Sequence, residues 1–480
     1  MDGMQPRPGF LLLTALALAS ATAAPGSAGD RKSGLSAYDA AALDARTLLE
    51  ALVRADMSNP PGNEARAARL GAERLKAAGI PFEIAEFAPG RENLIARLPG
   101  KGRAGRKAIL LLAHIDVVGA AGQSWTVAPH QVTEKDGYLY GRGVSDDLGM
   151  ASVILEVMVL LKRTGARLDR DVILAWTGDE ESGGLGIQHV LKNQPDSLLA
   201  ANLALNEGGG MVLGPDGKVK LVNLQLAEKI YFDFELSAQG PTGHSSVPLA
   251  DNAIYRLAGA LDRIGRHREP ARLIPVVRAY LGARAAVEAE PMASAMRALA
   301  GAAGDLPADS LAVIEAEPSL SALLRTTCVA TLVSGGTRAN ALPAEARATV
   351  NCRILPDETP EAVRERLARV ISDQGIHIRD LEVPGRSEAS PLEGPGPRAI
   401  AKVVGEMFPG VPIIPVLSKG ATDSRFLRER GLAAYGFSPI PVSEEDGRRA
   451  HGVDERIPLS SLRTGVEVFH RLILALDRER

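Results

Sequence analysis

Three short apolar runs in this chain each lead directly into polar residues. The runs cover residues 109–113, 172–176 and 203–205. Runs so short and so apolar are typical of strands buried on both faces of a parallel sheet, and the helical pattern over residues 150–162 predicts a crossover helix between the first two. In such sheets ligands gather at the carboxyl ends of the strands. The pattern therefore predicts an α/β fold, a mainly parallel sheet flanked by helices, with a site at one edge.

The character of the sequence changes near residue 230, and a chain of 480 residues is longer than one core usually supports. Residues 230–240 alternate apolar and polar side chains, as a half-exposed antiparallel strand does. Helical patterns over residues 251–264 and 359–374 complete an α+β unit. A Pro/Gly/Ser-rich connector then returns the chain to the first unit. We predict a catalytic domain in two parts, residues 31–229 and 384–480, with an inserted domain at residues 230–383.

The N-terminus has the pattern of a signal peptide. Arg7 precedes an apolar run at residues 10–19, and small residues follow, so that cleavage after Ala23 fits the small-x-small rule. The run is too short to span a bilayer. We therefore predict a signal peptide at residues 1–23 and an exported protein, periplasmic or secreted, without stable membrane association. A membrane anchor is the alternative.

The charge balance limits the class of ligand, and the cysteine content limits the possible disulfides. With 58 acidic and 55 basic residues, the chain has no broad basic field to attract nucleic acid, so a small or peptide-sized ligand is expected. Cys328 and Cys352 are the two cysteines of the sequence, each in an apolar, β-branched stretch. One disulfide between neighbouring strands and two buried free thiols are both compatible with the sequence.

Four segments would deliver acids or an imidazole to the predicted edge of the sheet. Each has a structural interpretation when taken alone: a satisfied His/Asp pair, an aspartate N-cap or a charged surface loop. Together they would converge, and clustered carboxylates with imidazole suit a divalent metal, with Zn²⁺ the leading candidate. The segments are "LLLAHIDVV" with His114 and Asp116, "YGRGVSDDLGM" with Asp146 and Asp147, "TGDEESGG" with Asp179, Glu180 and Glu181, and "LALNEGGG" with Glu207.

Spacing suggests how some of these side chains act. Alternate residues of an extended chain point the same way, so Asp116 can accept a hydrogen bond from one nitrogen of His114 and leave the other for a metal. Asp146 and Asp147 precede a predicted helix, and two acids exceed what an N-cap needs. A carboxylate held at a helix N-terminus is ionised and has two oxygens that could bridge two cations. A last ligand should come from far along the chain, and "RRAHGVDERIP" supplies His451.

The motifs together resemble the M20 family of di-zinc peptidases and amidohydrolases, which includes aminoacylase, glutamate carboxypeptidase, acetylornithine deacetylase and succinyl-diaminopimelate desuccinylase. The resemblance covers nearly all of the predicted mature chain, through "AHID", "GRGVSDD", "GDEESGG", "ALNEGG", "GHSS", "GGTRANALP", "KGATDSRF" and "HGVDERI". It implies a zinc-exopeptidase-like catalytic domain and an inserted α+β lid that commonly mediates dimerisation. Two departures stand out: Leu148 replaces a lysine of many relatives, and residues 268–320 exceed a minimal lid.

The same resemblance implies a role for each site residue. Asp146 would bridge two divalent metal ions, Zn²⁺ with Co²⁺ or Mn²⁺ as alternatives. Asp116 would support His114, and Glu180 would be the general acid/base. The implied ligands of one metal are His114, Asp146 and Glu207, and those of the other are Asp146, Glu181 and His451.

Substrate contacts are also implied by the resemblance. His244 would steady the oxyanion, often from the opposite subunit of a homodimer. Asn340 and Arg353 would hold the substrate, and the Arg353 guanidinium suits a bidentate grip on a carboxylate. Gly420 would offer a backbone contact at the substrate end.

The function implied is hydrolysis of amide bonds through a metal-activated water. We expect an exported peptidase of carboxypeptidase or dipeptidase type acting on small peptides. An N-acyl amino acid deacylase of the same family is the second hypothesis, and a non-catalytic binding protein that retains the fold is a third, of another class.

Overall fold

The computed structural model describes residues 35–102, 105–381, 385 and 387–479. The predicted signal peptide at residues 1–23 lies outside the described residues. None of the described helices is both long and apolar enough to cross a membrane. Besides a 3₁₀ turn at Ala322–Leu324, the helices are α1 (Ala37–Ala55), α2 (Ala65–Ala77), α3 (Leu148–Arg163), α4 (Leu185–Asn193), α5 (Asp196–Leu199), α6 (Ala253–Arg266), α7 (Pro275–Arg284), α8 (Met292–Gly301), α9 (Ala308–Glu315), α10 (Pro318–Ser321), α11 (Pro360–Ile371), α12 (Pro395–Met407), α13 (Ser424–Glu429), α14 (Glu444–Gly447) and α15 (Ser461–Arg478).

The described strands form one large sheet, one smaller sheet, one short sheet of three strands and two short strand pairs. They are β1 (Ser58–Asn59), β2 (Phe82–Ala88), β3 (Arg91–Leu98), β4 (Ala108–His114), β5 (Val117–Val118), β6 (Thr133–Lys135), β7 (Tyr138–Tyr140), β8 (Val172–Thr177), β9 (Ala201–Leu213), β10 (Val219–Glu228), β11 (Ile230–Gln239), β12 (Gly243–His244), β13 (Thr327–Gly335), β14 (Ala341–Leu342), β15 (Glu345–Ile354), β16 (Ile376–Asp380), β17 (Ile413–Ser418), β18 (Ala433–Ser443) and β19 (Arg456–Pro458).

The large sheet has eight strands in the order β17-β10-β18-β9-β4-β8-β3-β2. Its centre, β18-β9-β4-β8, is parallel. The outer strands make the sheet mixed, because β3 and β2 pair antiparallel on one side and β10 pairs antiparallel with β18 on the other. The α/β class predicted from the sequence is confirmed. Helix α3 connects β4 to β8, as the helical spacing predicted.

The central strands are buried on both faces because their side chains alternate between two layers. Every residue of β4 and β8 is buried. Ile109 and Leu111 of β4 face the core cluster that includes α1, α3 and α15, whereas Leu110 and Leu112 face a cluster with α4 and α13. This two-sided burial explains why the strand sequences are continuously apolar rather than alternating.

The smaller sheet is antiparallel, in the order β13-β15-β11-β16, and has its own hydrophobic core with α6 and α11. Phe232, Phe234 and Leu236 of β11 are buried while the residues between them are partly exposed, as the alternating sequence predicted. Cys328 of β13 lies opposite Cys352 of β15, and the two form a disulfide. Of the two states that the sequence left open, the structure shows the bridge.

Helices α7 and α8, which follow α6 in the chain, pack elsewhere. Val276 and Leu281 of α7 and Leu299 of α8 are buried in the same core cluster as the large sheet, and α7 packs against strand β17. Most of the segment at residues 268–320, which is longer than a minimal lid, therefore covers the large sheet rather than the small one. The domain boundaries at residues 230 and 383 stay predictions, and residue 383 lies outside the described residues.

Candidate active site

The carboxyl ends of the central strands meet as the sequence predicted, with one difference at Glu207. Strand β4 ends at His114 and β8 at Thr177. Strand β9, however, continues past Glu207 to Leu213, and its pairing with β18 is interrupted between Asn206 and Gly210. The glycines that follow Glu207 permit this bulge, since Gly208 and Gly210 have φ angles of +112° and +145°. Glu207 therefore projects from a bulge inside a strand and not from a loop after it.

The five predicted metal ligands form two groups that share Asp146. One group is His114, Asp146 and Glu207, and the other is Asp146, Glu181 and His451. In the first, His114 Nε2 lies 3.1 Å from Asp146 Oδ1 and 4.0 Å from Glu207 Oε1. In the second, His451 Nε2 lies 3.1 Å from Asp146 Oδ2 and 3.0 Å from Glu181 Oε2. Each oxygen of the Asp146 carboxylate thus faces a different imidazole, as a bridging ligand requires.

The turn that carries Asp146 is held by a buried carboxylate. Glu455 accepts the backbone N–H groups of Gly143 at 2.9 Å, Ser145 at 2.8 Å and Asp146 at 3.1 Å. It also accepts Arg142 Nη1 at 2.8 Å, and both side chains are about fully buried. Glu455 lies in the same segment as His451, so one segment supplies a predicted ligand and supports another.

His114 and Asp116 are adjacent, but their contact differs from the sequence prediction. The His114 Nδ1 atom lies 3.0 Å from the backbone carbonyl of Asp116 and 3.7 Å from its Oδ1. The carboxylate is turned toward the next loop, where it accepts the backbone N–H of Glu180 at 3.1 Å and of Glu181 at 3.2 Å. The closer acceptor for the imidazole is therefore main chain, and the carboxylate fixes the loop that carries the two glutamates.

A tight turn after β8 brings both glutamates to the same side. Asp179 has φ +70°, and its backbone carbonyl accepts the N–H of Gly183 at 2.9 Å. Its carboxylate accepts the N–H of Leu185 at 3.1 Å. This turn is the bend that the sequence required, because adjacent residues on an extended chain would point in opposite directions. Asp179 itself is structural in this arrangement.

Burial and charge shift the pKa values throughout this cluster. Burial raises the pKa of Glu180 and Glu207 well above the usual value, with neighbouring carboxylates adding to the effect. Burial opposes ionisation of Asp146 as well, but the His114 and His451 imidazoles hold its pKa below the usual value. Hydrogen bonds to Asp146 and Glu181 raise the pKa of His451 to about 10. The cluster thus favours positive charge at its centre, as a cation site does.

A cavity of about 650 Å³ opens onto the cluster. Asp146, Glu207, His451 and both glutamates of the turn line one side of it. Arg353 of β15 and Gly420 line it elsewhere, together with aromatic and aliphatic residues of β11. The Arg353 guanidinium lies 4.6 Å from the centre of the Tyr231 ring, and Nη1 lies 3.3 Å from the Lys419 carbonyl.

Two predicted substrate residues are placed differently. His244 of β12 pairs with the β14 segment next to Asn340, and the Ser245 N–H donates to the Asn340 carbonyl at 3.1 Å. Both residues are exposed, and neither is among the residues that line the cavity. The structure therefore brings Arg353 and Gly420 to the cluster within one chain and leaves His244 and Asn340 apart from it.

Several buried polar residues around the cluster have no counterpart in the sequence prediction. Asn59 donates from Nδ2 to Asp116 Oδ2 at 2.8 Å and to Asp179 Oδ1 at 3.1 Å. Arg91 donates to the same Asp179 oxygen at 2.8 Å and pairs with the buried Glu64. The sequence signal is a polar run interrupted by two prolines, "SNPPGNE", which is too short to show its chemistry without the fold.

A parallel-centred sheet that gathers carboxylates and imidazoles at one edge is suited to hold divalent metal ions, as metallopeptidases and metal-dependent amidohydrolases do. Comparison with known proteins agrees, since residues 110–475 match peptidase family M20/M25/M40. The chain is 30% identical over 377 residues to the N-fatty-acyl-amino acid synthase/hydrolase PM20D1 of Xenopus tropicalis, which covers 77% of this chain and 72% of that protein. This chain belongs to the M20 peptidase family, as its motifs predicted.

Solved structures show the same fold at low sequence identity. The M20 family metallo-carboxypeptidase Sso-CP2 of Sulfolobus solfataricus has a TM-score of 0.68 and 20% identity, over 90% of this chain and 99% of that one. The YXEP protein of Bacillus subtilis, a dinuclear metal binding peptidase of the family, has a TM-score of 0.59 and 15% identity, over 91% and 98% of the two chains. As a member of the M20 family, the protein is a hydrolase of amide bonds.

Proposed function

We propose that the enzyme hydrolyses small peptides as a carboxypeptidase or dipeptidase, with Glu180 as general base. One observation carries the proposal. The predicted ligands Asp146, Glu181, Glu207 and His451, the Glu180 side chain and the Arg353 guanidinium all line a single cavity. Cleavage near a free C-terminus needs a general base beside the metal site and a positive side chain that binds the terminal carboxylate. Glu180 and Arg353 are the residues of this cavity that suit these two roles.

The side chains present fit two divalent cations. Glu181 Oε1 is buried without a hydrogen-bond partner in the described part of the chain, and such an acceptor is costly unless a cation satisfies it. Mixed imidazole nitrogens and carboxylate oxygens suit Zn²⁺, with Co²⁺ and Mn²⁺ as alternatives. When bound, the metals supply a water of lowered pKa and polarise the substrate carbonyl.

The chain's own groups would then carry the proton and hold the substrate. Glu180 takes a proton from the attacking water and later gives it to the departing amine, a role that its buried position on a fixed turn supports. Arg353 binds the carboxylate of the substrate through two N–H groups. The backbone at Gly420 borders the same end of the cavity. Asp116 keeps the Glu180 backbone in place through the hydrogen bond described above.

An N-acyl amino acid deacylase is the second candidate. Similarity to an N-fatty-acyl-amino acid synthase/hydrolase over most of the chain favours it. Both kinds of substrate carry a free carboxylate next to the scissile amide, so Arg353 would serve either. They differ in the group on the carbonyl side, which is an amino acid in a dipeptide and an acyl chain in the alternative.

We also propose a homodimer in which the partner subunit supplies His244. The supporting observations are that His244 lies apart from the cavity of its own chain and that the edge strand β13 exposes Val329, Leu332 and Val333. Exposed aliphatic side chains on an edge strand favour association. Export remains a proposal that rests on the N-terminal sequence pattern alone.

The experiment that tests the function is a metal-dependent substrate panel. The purified protein is stripped with a chelator and restored with Zn²⁺, Co²⁺ or Mn²⁺, and release of free amine is measured for dipeptides and for N-acyl amino acids of increasing chain length. We expect activity only after metal is restored, with dipeptides faster. Faster release from long-chain acyl amino acids would favour the deacylase. No release from either class with any of the metals would contradict both.

Metal analysis tests the assignment of ligands separately from turnover. Asp146→Asn should lose both metals, because its carboxylate belongs to both groups. Glu207→Gln and Glu181→Gln should each retain about one metal per chain, because each residue belongs to only one of the two ligand groups. Equal loss in all three variants would contradict the shared position of Asp146.

A further inference from the structure

We propose that Asn59 is a positioning residue for the reaction proposed above, holding together the two loops that carry the metal ligands and the general base. The expected effect on kcat rests on the proposed function. The expected effect on the position of the two loops rests on the geometry alone. Asn59 is not among the residues that line the cavity and belongs to neither ligand group. It acts through Asp116 and Asp179.

A single side-chain amide joins the two loops. Asn59 is 7% exposed, and its two N–H groups reach Asp116 Oδ2 at 2.8 Å and Asp179 Oδ1 at 3.1 Å. Asp116 lies two residues after His114, at the end of β4. Asp179 precedes Glu180 and Glu181, after β8. The amide thus adds a second link between the strand end that carries one ligand and the turn that carries the base, beside the bonds that Asp116 accepts from Glu180 and Glu181.

Displacement of either carboxylate would be transmitted directly to the catalytic turn. Asp116 accepts the backbone N–H groups of Glu180 and Glu181, and Asp179 accepts that of Leu185 on the far side of the turn. Both aspartates are almost completely buried, so no water replaces a lost donor cheaply. Removing the amide would leave two adjacent carboxylates that repel each other and would allow the turn to move.

An amide is also the donor that best suits the charge of this region. Asp179 already contacts Arg91, whose positive charge is shared with the buried Glu64. Another cation at residue 59 would compete electrostatically with metal ions at the nearby cluster, whereas an amide supplies two donors with no net charge. The negative potential that attracts divalent cations is therefore kept.

The backbone fixes the amide at this place. Strand β1, Ser58–Asn59, pairs in parallel with β5, Val117–Val118, which directly follows Asp116. The Val117 N–H donates to the Met57 carbonyl at 3.1 Å. Gly62 leaves room for Arg91 beside the same loop, because a Cβ there would lie 2.3 Å from Arg91 Nε.

Two substitutions separate a donor role from a packing role. Asn59→Leu keeps nearly the same volume without donors, and Asn59→Gln keeps both donors on a side chain one methylene longer. If donation matters, the Gln variant is the milder. If only packing matters, the Leu variant is the milder, since it fills the buried position without adding volume. If the Leu variant fails to fold, Asn59→Ser, which keeps one donor, is compared with Asn59→Ala, which has nearly the same volume and no donor, and the Ser variant should be the milder.

The measurements are kcat and KM for the best substrate of the panel, and calorimetric titration of the metal-free protein with Zn²⁺. We expect Asn59→Leu to lower kcat by about 10- to 100-fold with little change in KM, and to weaken Zn²⁺ binding in the same range. Asn59→Gln should recover part of both losses. The proposal would be overturned if the Leu variant lost less kcat and Zn²⁺ affinity than the Gln variant. It would also be overturned if both quantities were unchanged in the Leu variant.

A matched control removes donors from a buried carboxylate far from the site. Glu156 of α3 is 1% exposed and accepts two hydrogen bonds from Arg74. Arg74→Met should lower the melting temperature while leaving kcat and Zn²⁺ affinity unchanged. Should the wild type hydrolyse nothing in the panel, the proposed function fails, yet the order of Zn²⁺ affinities among the Asn59 variants still decides the positioning role.

Discussion

The Oε1 atom of Glu455 accepts the backbone N–H of Asp146 at 3.1 Å, so a residue near the C-terminus supports the carboxylate shared by both ligand groups. Glu455 is fully buried and has three further donors, two from the same backbone turn and one from Arg142. The pair links two segments that are about 300 residues apart in the sequence.

Replacing Glu455 should destabilise the fold and weaken the site together. In Glu455→Ala the buried Arg142 guanidinium loses its counter-ion and three N–H groups lose their acceptor, which should lower the free energy of unfolding by about 3 kcal/mol. Urea denaturation measures the loss, and Zn²⁺ titration should show weaker binding. Glu445→Ala, at a side chain that is 65% exposed, is the control and should change stability by less than about 0.5 kcal/mol. Equal stability of the two variants would refute the support role.

Glu180 and Glu181 should separate chemistry from metal binding. Glu180→Gln should keep its metals and lose about 10²- to 10⁴-fold in kcat, because an amide cannot accept the proton of the attacking water. Glu181→Gln should lose one metal, because its carboxylate belongs to a ligand group. Metal content and turnover are measured on the same samples. A Glu180→Gln variant with nearly full activity would show that another group is the base.

Arg353 should recognise the free carboxylate of the substrate. Arg353→Ala should raise KM about tenfold or more for dipeptides, the expected cost of losing hydrogen bonds to a charged group. C-terminal amides, which lack that charge, should be poor substrates of the wild type and should be little affected by the substitution. The comparison of KM values for acid and amide pairs is the measurement. An equal rise for both would mean that Arg353 only shapes the cavity.

Because of Lys229, the free energy of unfolding should change with pH in the alkaline range. Burial, with the positive charges of Arg353 and Lys419, lowers the pKa of Lys229 from 10.5 to about 8. The unfolded chain therefore binds the proton more tightly than the folded one, so stability rises as pH increases from 8 to 10.5. Between pH 7 and 10 this residue should add about 2 kcal/mol to the free energy of unfolding.

Lys229→Met is the variant that isolates this effect. It removes the titrating group and also the hydrogen bond from Nζ to the Arg325 carbonyl at 2.7 Å, so its stability is offset by a constant amount. The difference in stability between wild type and variant should then shift in favour of wild type as pH rises from 7 to 10. Parallel pH profiles for the two proteins would exclude Lys229 as the source.

The sequence predicted those features whose residues carry recognisable chemistry. The apolar runs of β4 and β8 predict where His114 and the TGDEESGG turn lie, because residues that follow buried parallel strands lie at the carboxyl edge of the sheet. The strand that carries Glu207 was predicted too short, since a bulge depends on glycine conformations and on pairing with β18, which is more than 200 residues away.

Other features depend on contacts that have no local pattern. Asn59 ends the short strand β1 directly before two prolines, and its local sequence resembles that of any Pro-rich turn. Only the fold places its amide between two aspartates. The predicted boundaries of the inserted domain, residues 230–383, include the helices at residues 275–315 by their order in the chain. Their apolar faces are instead buried against the large sheet, and nothing in a helical period indicates which sheet a helix will cover.

Each oxygen of Asp146 faces a different imidazole, and this geometry has a thermodynamic consequence for the loading of cations. An ion held by His114 and Glu207 would draw on the same carboxylate charge as an ion held by Glu181 and His451. Occupancy of one position must therefore change the affinity of the other, and by reciprocity the factor is the same whichever fills first. A stepwise titration should show two unequal dissociation constants rather than a single repeated one.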